Sequence, residues 1–90
     1  MIEVLYADGK REVLSSITFE KIGNLVDGFV QMVPIFENDT PLQCYCNEDG
    51  LFLSLPTNRN VTYRFHNHIY FPPEGALGTW VILSGKDRLK

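Results

Sequence analysis

Cysteine is scarce in this 90-residue chain, and the two present, Cys44 and Cys46, are separated by a single residue. On a strand, such a pair points to one side without the geometry for a bridge, which excludes a disulfide framework of the secreted kind. Long apolar runs are also missing. None approaches the roughly 18–20 residues of a membrane-spanning helix, and the N-terminus has no basic segment leading into an apolar one. The expectation is a cytoplasmic protein with no membrane partner. Positive charge is thin as well. Eight basic and eleven acidic side chains give a formal charge of −3, and three of the basic ones, Lys86, Arg88 and Lys90, sit in the last five residues. Binding to duplex DNA depends on neutralising phosphates with Lys and Arg, so an acidic body with scattered cations excludes nucleic acid as an expected partner. Phosphate-binding glycine loops, dinucleotide fingerprints and nucleophile elbows are absent too. Gly75-Ala76-Leu77-Gly78 has a GxxG spacing, but it lacks the basic and aromatic context of an RNA-binding loop and reads as a turn.

What is present is a hydrophobic fraction of 44%, enough for one compact domain near the low end of size for folding on a single core. The domain is expected over residues 1–85, with 86–90 as a basic tail. Association of copies through an exposed sheet edge would add to its stability. Ile2 to Tyr6 reads as a strand, Ala7 to Lys10 as a tight turn and Glu12 to Leu14 as the returning partner. Ser15, Ser16 and Thr18 offer helix-start chemistry. Apolar residues then fall at Phe19, Ile22, Leu25 and Val26, one helical face, with Gly28 placed for a left-handed cap. Phe29 to Phe36 reads as a strand that Pro34 assigns to an edge or a bulge. Glu37 to Pro41 reads as a loop. Leu42 to Cys46 and Leu51 to Leu53 flank Asn47-Glu48-Asp49-Gly50 as a hairpin. Beyond Pro56, Thr57 and Asn58 either cap a short helix through Tyr63 or begin a loop. His68 to Phe71 reads as a short strand and Gly78 to Ser84 as the last one. The sum is an α+β fold, a small, curved, mainly antiparallel sheet with one principal helix packed on it.

Four pieces in this order, Val26-Asp27-Gly28-Phe29-Val30, Asn47-Glu48-Asp49-Gly50, Leu55-Pro56-Thr57-Asn58-Arg59 and Gly78-Thr79-Trp80-Val81-Ile82, carry a resemblance. The stretch from Leu25 to Gly85 resembles a family of small uncharacterised domains found in phages, plasmids, bacteria and large DNA viruses. The resemblance implies a compact α+β domain and a viral or mobile-element setting. It brings no catalytic residues.

The Leu-Pro-x-Asn-Arg corner has two readings. In the structural one, Leu55 plugs the core, Pro56 ends a strand and Asn58 bonds nearby backbone. In the functional one, Arg59 is a planar fork for a carboxylate or phosphate and Asn58 reads a polar edge. The segment Tyr63-Arg64-Phe65-His66-Asn67-His68-Ile69-Tyr70 mixes aromatic and polar groups as recognition surfaces do. The expected contact residues are therefore Asn58, Arg59, Tyr63, Arg64, His66, His68 and Tyr70. Catalysis is not expected. A cysteine nucleophile needs His66 or His68 beside it, and Glu48 with Asp49 reads as a solvated turn. The expected function is stoichiometric binding and modulation of a host protein, without a cofactor. One alternative is a small-molecule binder in which Arg59 or Arg64 meets the phosphate of a nucleotide-like ligand. Another is a zinc-stabilised interaction domain that gathers Cys44, Cys46, His66 and His68.

Overall fold

The chain is described by a computed structural model that covers residues 1–89; Lys90, the end of the expected tail, lies outside the described residues. The elements run β1 (Ile2–Leu5), β2 (Arg11–Leu14), α1 (Phe19–Val26), β3 (Val30–Glu37), β4 (Thr40–Asn47), α2 (Arg59–Phe65) and β5 (Trp80–Ser84), followed by a short 3-10 turn, Gly85–Asp87. The strands form one open sheet in the order β2-β1-β5-β4-β3, with every neighbouring pair antiparallel. Two hairpins, β1–β2 and β3–β4, are thus joined side by side by β5. The α+β fold read from the sequence is the fold observed, but with a helix on each face of the sheet.

Period-two alternation explains why both faces need cover. Cys44 and Cys46 join Leu5, Leu42, Trp80 and Ile82 on one face, and Val61 and Phe65 of α2 pack there. Tyr45, lying between the cysteines, turns to the other face with Ile2, Val4, Val81 and Leu83, beneath Ile22 and Val26 of α1. In each helix the two buried residues are four apart, the spacing of one helical stripe. Full burial of a side chain such as Ile22 or Phe65 contributes about 1.5–3 kcal/mol. No described helix is long and apolar enough to cross a membrane.

The helix ends follow the sequence with one change. Thr18 caps α1, its hydroxyl accepting from the Lys21 N–H at 3.1 Å. The left-handed residue at the other end is Asp27 (φ 59°) rather than Gly28, and its N–H reaches the Gly23 carbonyl at 2.9 Å. Gly28 answers a different need. A Cβ there would meet the Asn47 amide nitrogen at 2.6 Å.

Two expected strands do not form, and two segments read as irregular are ordered differently. Leu51 to Leu53 is not the second strand of a hairpin with Leu42 to Cys46, nor is it core. Those residues lie in a run of turns held by bonds such as Leu53 N–H to Asp49 O at 2.8 Å, and Phe52 is 88% exposed. The reason is occupancy: β4 is already paired on both edges, with β3 on one side and β5 on the other. Its hairpin partner is β3, reached through a two-residue turn at Asn38 and Asp39 (φ 51° and 63°) inside the segment read as a loop. His68 to Phe71 is irregular rather than a strand. Part of the stretch set apart as a tail is docked on the sheet. Leu89 packs against the α1-side core and exchanges two 2.6 Å hydrogen bonds with the Gln43 side chain.

Candidate functional site: the second helix and its flanks

The Leu-Pro-x-Asn-Arg corner starts α2. Asn58 is its N-cap, with Oδ1 accepting from the Val61 N–H at 3.2 Å. Its Nδ2 donates to the carbonyls of Leu5 and Gly78, both at 2.9 Å. The backbone around it is equally committed. Asn58 N–H donates to the Ala76 carbonyl at 2.7 Å, and Gly78 N–H donates to that of Pro56 at 2.8 Å. Thr62 Oγ1 donates to the Asn58 carbonyl and accepts from Ala76 N–H, each at 2.8 Å. Asn58 is 1% exposed, so its side chain serves the fold and presents nothing to a ligand. Asn47 is used in the same way. It donates to the carbonyls of Val26 and Asp27 at 3.0 and 3.1 Å and accepts from Asp49 N–H at 2.7 Å, closing the end of α1.

Arg64 lies on the flank of α2 and is also engaged. Its guanidinium grips Glu37 of β3 with two bonds, Nε at 2.9 Å and Nη2 at 2.8 Å, and Nη1 reaches Glu3 of β1 at 3.4 Å. Glu3 is further paired with Arg11 at 2.9 Å. The hydrogen bond from Arg64 holds the Glu37 carboxyl below its ordinary value. This network links the helix to three strands.

Three of the expected residues do come together. Arg59, Tyr63 and His66 fall at i, i+4 and i+7 and share the outer face of α2, bordering a shallow apolar depression with Thr57 and Thr62. Tyr63 is 80% exposed, and its ring lies 5.8 Å from that of His66 at a tilt of 34°. His66 Nδ1 sits 2.6 Å from the Tyr63 carbonyl, which orients the imidazole. Arg59 makes no ion pair or side-chain hydrogen bond among the described residues. His68 turns its edge to the Phe65 ring at 6.2 Å, and Tyr70 stands 99% exposed beyond the helix.

The zinc arrangement does not form. Cys44 and Cys46 are buried on the inner side of α2, whereas His66 and His68 are exposed beyond it. Among the described residues no group of three or more His, Cys, Asp or Glu side chains is placed to hold a metal ion. Burial pushes the Cys44 thiol up to about 12 and the Cys46 thiol up to about 11, so both are neutral and poor nucleophiles near neutral pH.

One feature escaped the sequence reading. Trp80 is 4% exposed, and its Nε1–H is the one buried side-chain nitrogen or oxygen among the described residues with no partner. A buried donor left without an acceptor costs about 1–3 kcal/mol. The ring borders a cleft of about 240 Å³ between the strands and the Ile69–Leu77 segment. The only signal in the sequence is the Phe71-Pro72-Pro73 run, whose prolines have no N–H for a ladder and so mark an irregular segment.

The family model described as a domain of unknown function, DUF3846, matches residues 2–88. No curated protein and no solved structure matches the chain.

Proposed function

Since the chain belongs to the DUF3846 family, whose description carries no activity, we propose from its geometry that it is a non-enzymatic accessory protein that binds a host protein and modulates it. The observation that carries this reading is the outer face of α2. Arg59, Tyr63 and His66 are held at fixed helical spacing, are exposed, and among the described residues their side chains bond to no other element of the fold. Tyr and Arg are the residue types that dominate binding energy when a partner buries them. The helix beneath is anchored by Asn58 and by the Arg64–Glu37 pair, so its outer face is presented without a large ordering cost. The mobile-element setting comes from the sequence resemblance alone. Buried, protonated thiols also favour binding over catalysis.

The nucleotide alternative is less favoured, because Arg64 is committed to Glu37 and Glu3 and leaves Arg59 as the single uncommitted cation on the face. The test is affinity capture from host lysate with the wild-type chain and with an Arg59→Ala/Tyr63→Ala variant. Wild type recovers one dominant partner near unit stoichiometry, and the variant loses it while melting at the wild-type temperature. Equal recovery by both proteins would move the contact surface away from α2, and recovery of nothing by folded wild type would remove the reading.

A further inference from the structure

The α1 side of the sheet is wider than the helix that covers it. Eight residues of helix run about 12 Å, whereas the eight residues of β3 run about 27 Å. Ile22 and Val26 sit over the central strands, with Val30 at the near end of β3 partly covered. Beyond them, Met32, Pro34 and Phe36 alternate along the same face of β3 and stay exposed. Phe19 extends this strip from the helix side. It lies one turn before Gly23, which faces Val30, and its ring meets the Tyr45 ring edge to face at 6.3 Å. Tyr45 is in turn the partner of Met32 across β3 and β4.

The strip is large for its molecule and carries no charge. Phe19 is 59% exposed, Met32 47% and Phe36 68%. At roughly 200 Å² for each whole side chain, these three leave about 350 Å² of apolar surface in one place. A stable interface buries about 800 Å² on each partner, a little over half of it apolar, so the strip supplies most of the apolar share. The β4 residues opposite the strand, Pro41, Gln43, Tyr45 and Asn47, are uncharged as well. The charges lie at the two ends, and they differ in sign. Asp27 and Glu48 flank the Val30 end, where Asn47 and Phe29 bond to their backbones. Lys86 and Arg88 flank the Phe36 end, since Ser84 pairs with Leu42 and the chain beyond it turns back onto Gln43. None of these four has an ion-pair partner among the described residues. At the Phe36 end Asp87 is paired with the N-terminal ammonium and Glu37 with Arg64, which leaves Asp39 as the acid without a partner there.

We propose that this strip is the contact surface between two copies of the chain, packed face to face about a twofold axis that lies in the interface and crosses the strands. Such an axis sets the Val30 end of one copy on the Phe36 end of the other. Asp27 and Glu48 then oppose Lys86 and Arg88 at both ends of the interface. Extending the sheet edge to edge is the poorer choice, because Pro34 has no N–H for a ladder along β3. The strip and α2 lie on opposite faces of the sheet, so the outer face of α2 stays open on both copies. The contact does not depend on that face having a partner.

Sedimentation equilibrium of the intact chain over a wide range of concentration tests this. The mass is expected to rise from that of one chain to that of two and to stop there, and the melting temperature to rise with concentration. Met32→Lys/Phe36→Lys is expected to stay monomeric throughout and to melt with the dilute wild type, since both side chains are exposed. The ends are tested by exchanging charge. Glu48→Lys and Lys86→Glu are each expected to self-associate about tenfold more weakly than the wild type. Mixed together, they are expected to bind each other at nearly the wild-type affinity, because Lys and Glu then face each other in exchanged places at one end and in native order at the other. The proposal is overturned by a wild type that stays monomeric at the highest concentration, which gives the strip to a different protein. It is equally overturned by dimers that survive Met32→Lys/Phe36→Lys, by assembly past two copies, or by a mixture no tighter than its components. If Met32→Lys/Phe36→Lys fails to fold, the mixture decides the matter, since Glu48 and Lys86 are both exposed.

Discussion

Asn58 carries three joints at once: the start of α2, the end of β1 and the approach to β5. Truncating it to alanine strands two buried carbonyls and one N–H, at a cost of about 2–4 kcal/mol out of a total on the order of 5–10 for a domain this small. Urea unfolding measures the loss. Asn58→Asp keeps the acceptor for Val61 but sets an oxygen against the Leu5 and Gly78 carbonyls, so it should fall equally low; full stability in that variant would contradict the assigned donor role. The cysteines make a second prediction at this scale. An unfolded thiol titrates near about 8.5, while in the fold Cys44 is pushed up to about 12 and Cys46 up to about 11 by burial. The folded chain therefore keeps protons that the unfolded chain releases. Stability falls as pH rises past about 8.5, by on the order of 4 kcal/mol for the pair at pH 10. Melting curves across that range should show the fall, and a Cys44→Ala/Cys46→Ala variant should show a flatter alkaline limb.

Among the elements, the sequence was most legible where a segment's pattern and its surroundings agree. Period two in β4 and most of the stripe read at Phe19, Ile22, Leu25 and Val26 were readable because each needs only a face to bury, although Phe19 at the start of α1 stays 59% exposed. The hairpin expected around Asn47 to Gly50 was misread because turn chemistry is local, whereas the partner of a strand depends on which edges remain free. The Asx-type bond from Asp49 N–H to Asn47 Oδ1 is real, but the Asn47 amide group closes α1 through the Val26 and Asp27 carbonyls, and no hairpin of two strands forms there. Arg59 and Tyr63 are exposed on the outer side of α2. The cap at Asn58 was one of the readings its type allowed, but its bonds to Leu5 and Gly78 and the pairing of Arg64 with Glu37 were not legible, because those partners lie far along the chain. Edge protection gives the prediction at this scale. Pro34 lies opposite Gln43, three residues back from the Glu37–Thr40 pair that closes the two-residue turn, and in that alternation its backbone nitrogen faces out of the β3 edge. Replacing it restores an outward N–H in a long, apolar edge strand. Pro34→Thr is expected to self-associate with rising concentration in sedimentation velocity while the wild type changes less. Identical behaviour of the two would show that Pro34 is not the guard.

For the whole molecule, β5 decides cooperativity. It is the one strand that pairs with both hairpins, through β1 on one side and β4 on the other. A chain cut after Thr79 keeps two hairpins and two helices but no continuous sheet, and isolated hairpins are marginal in water. Such a fragment is expected to show an unfolded circular dichroism spectrum and no melting transition. A cooperative transition in it would mean that each half has a core of its own. Because the two cores share every central strand, the intact chain should instead unfold in a single step.

By itself the sequence determined the fold class, the presence of α1, the central strands and the thin positive charge, because composition and periodicity act over a few residues. Tertiary structure decided the rest. It placed a helix on each face of the sheet, gave β4 a neighbour on both edges, and drew Asn47, Asn58 and Arg64 into the scaffold. It also left Arg59, Tyr63 and His66 facing out and the Trp80 indole without an acceptor. Those outcomes depend on which distant groups meet once the sheet closes over its last strand, and no local pattern records that.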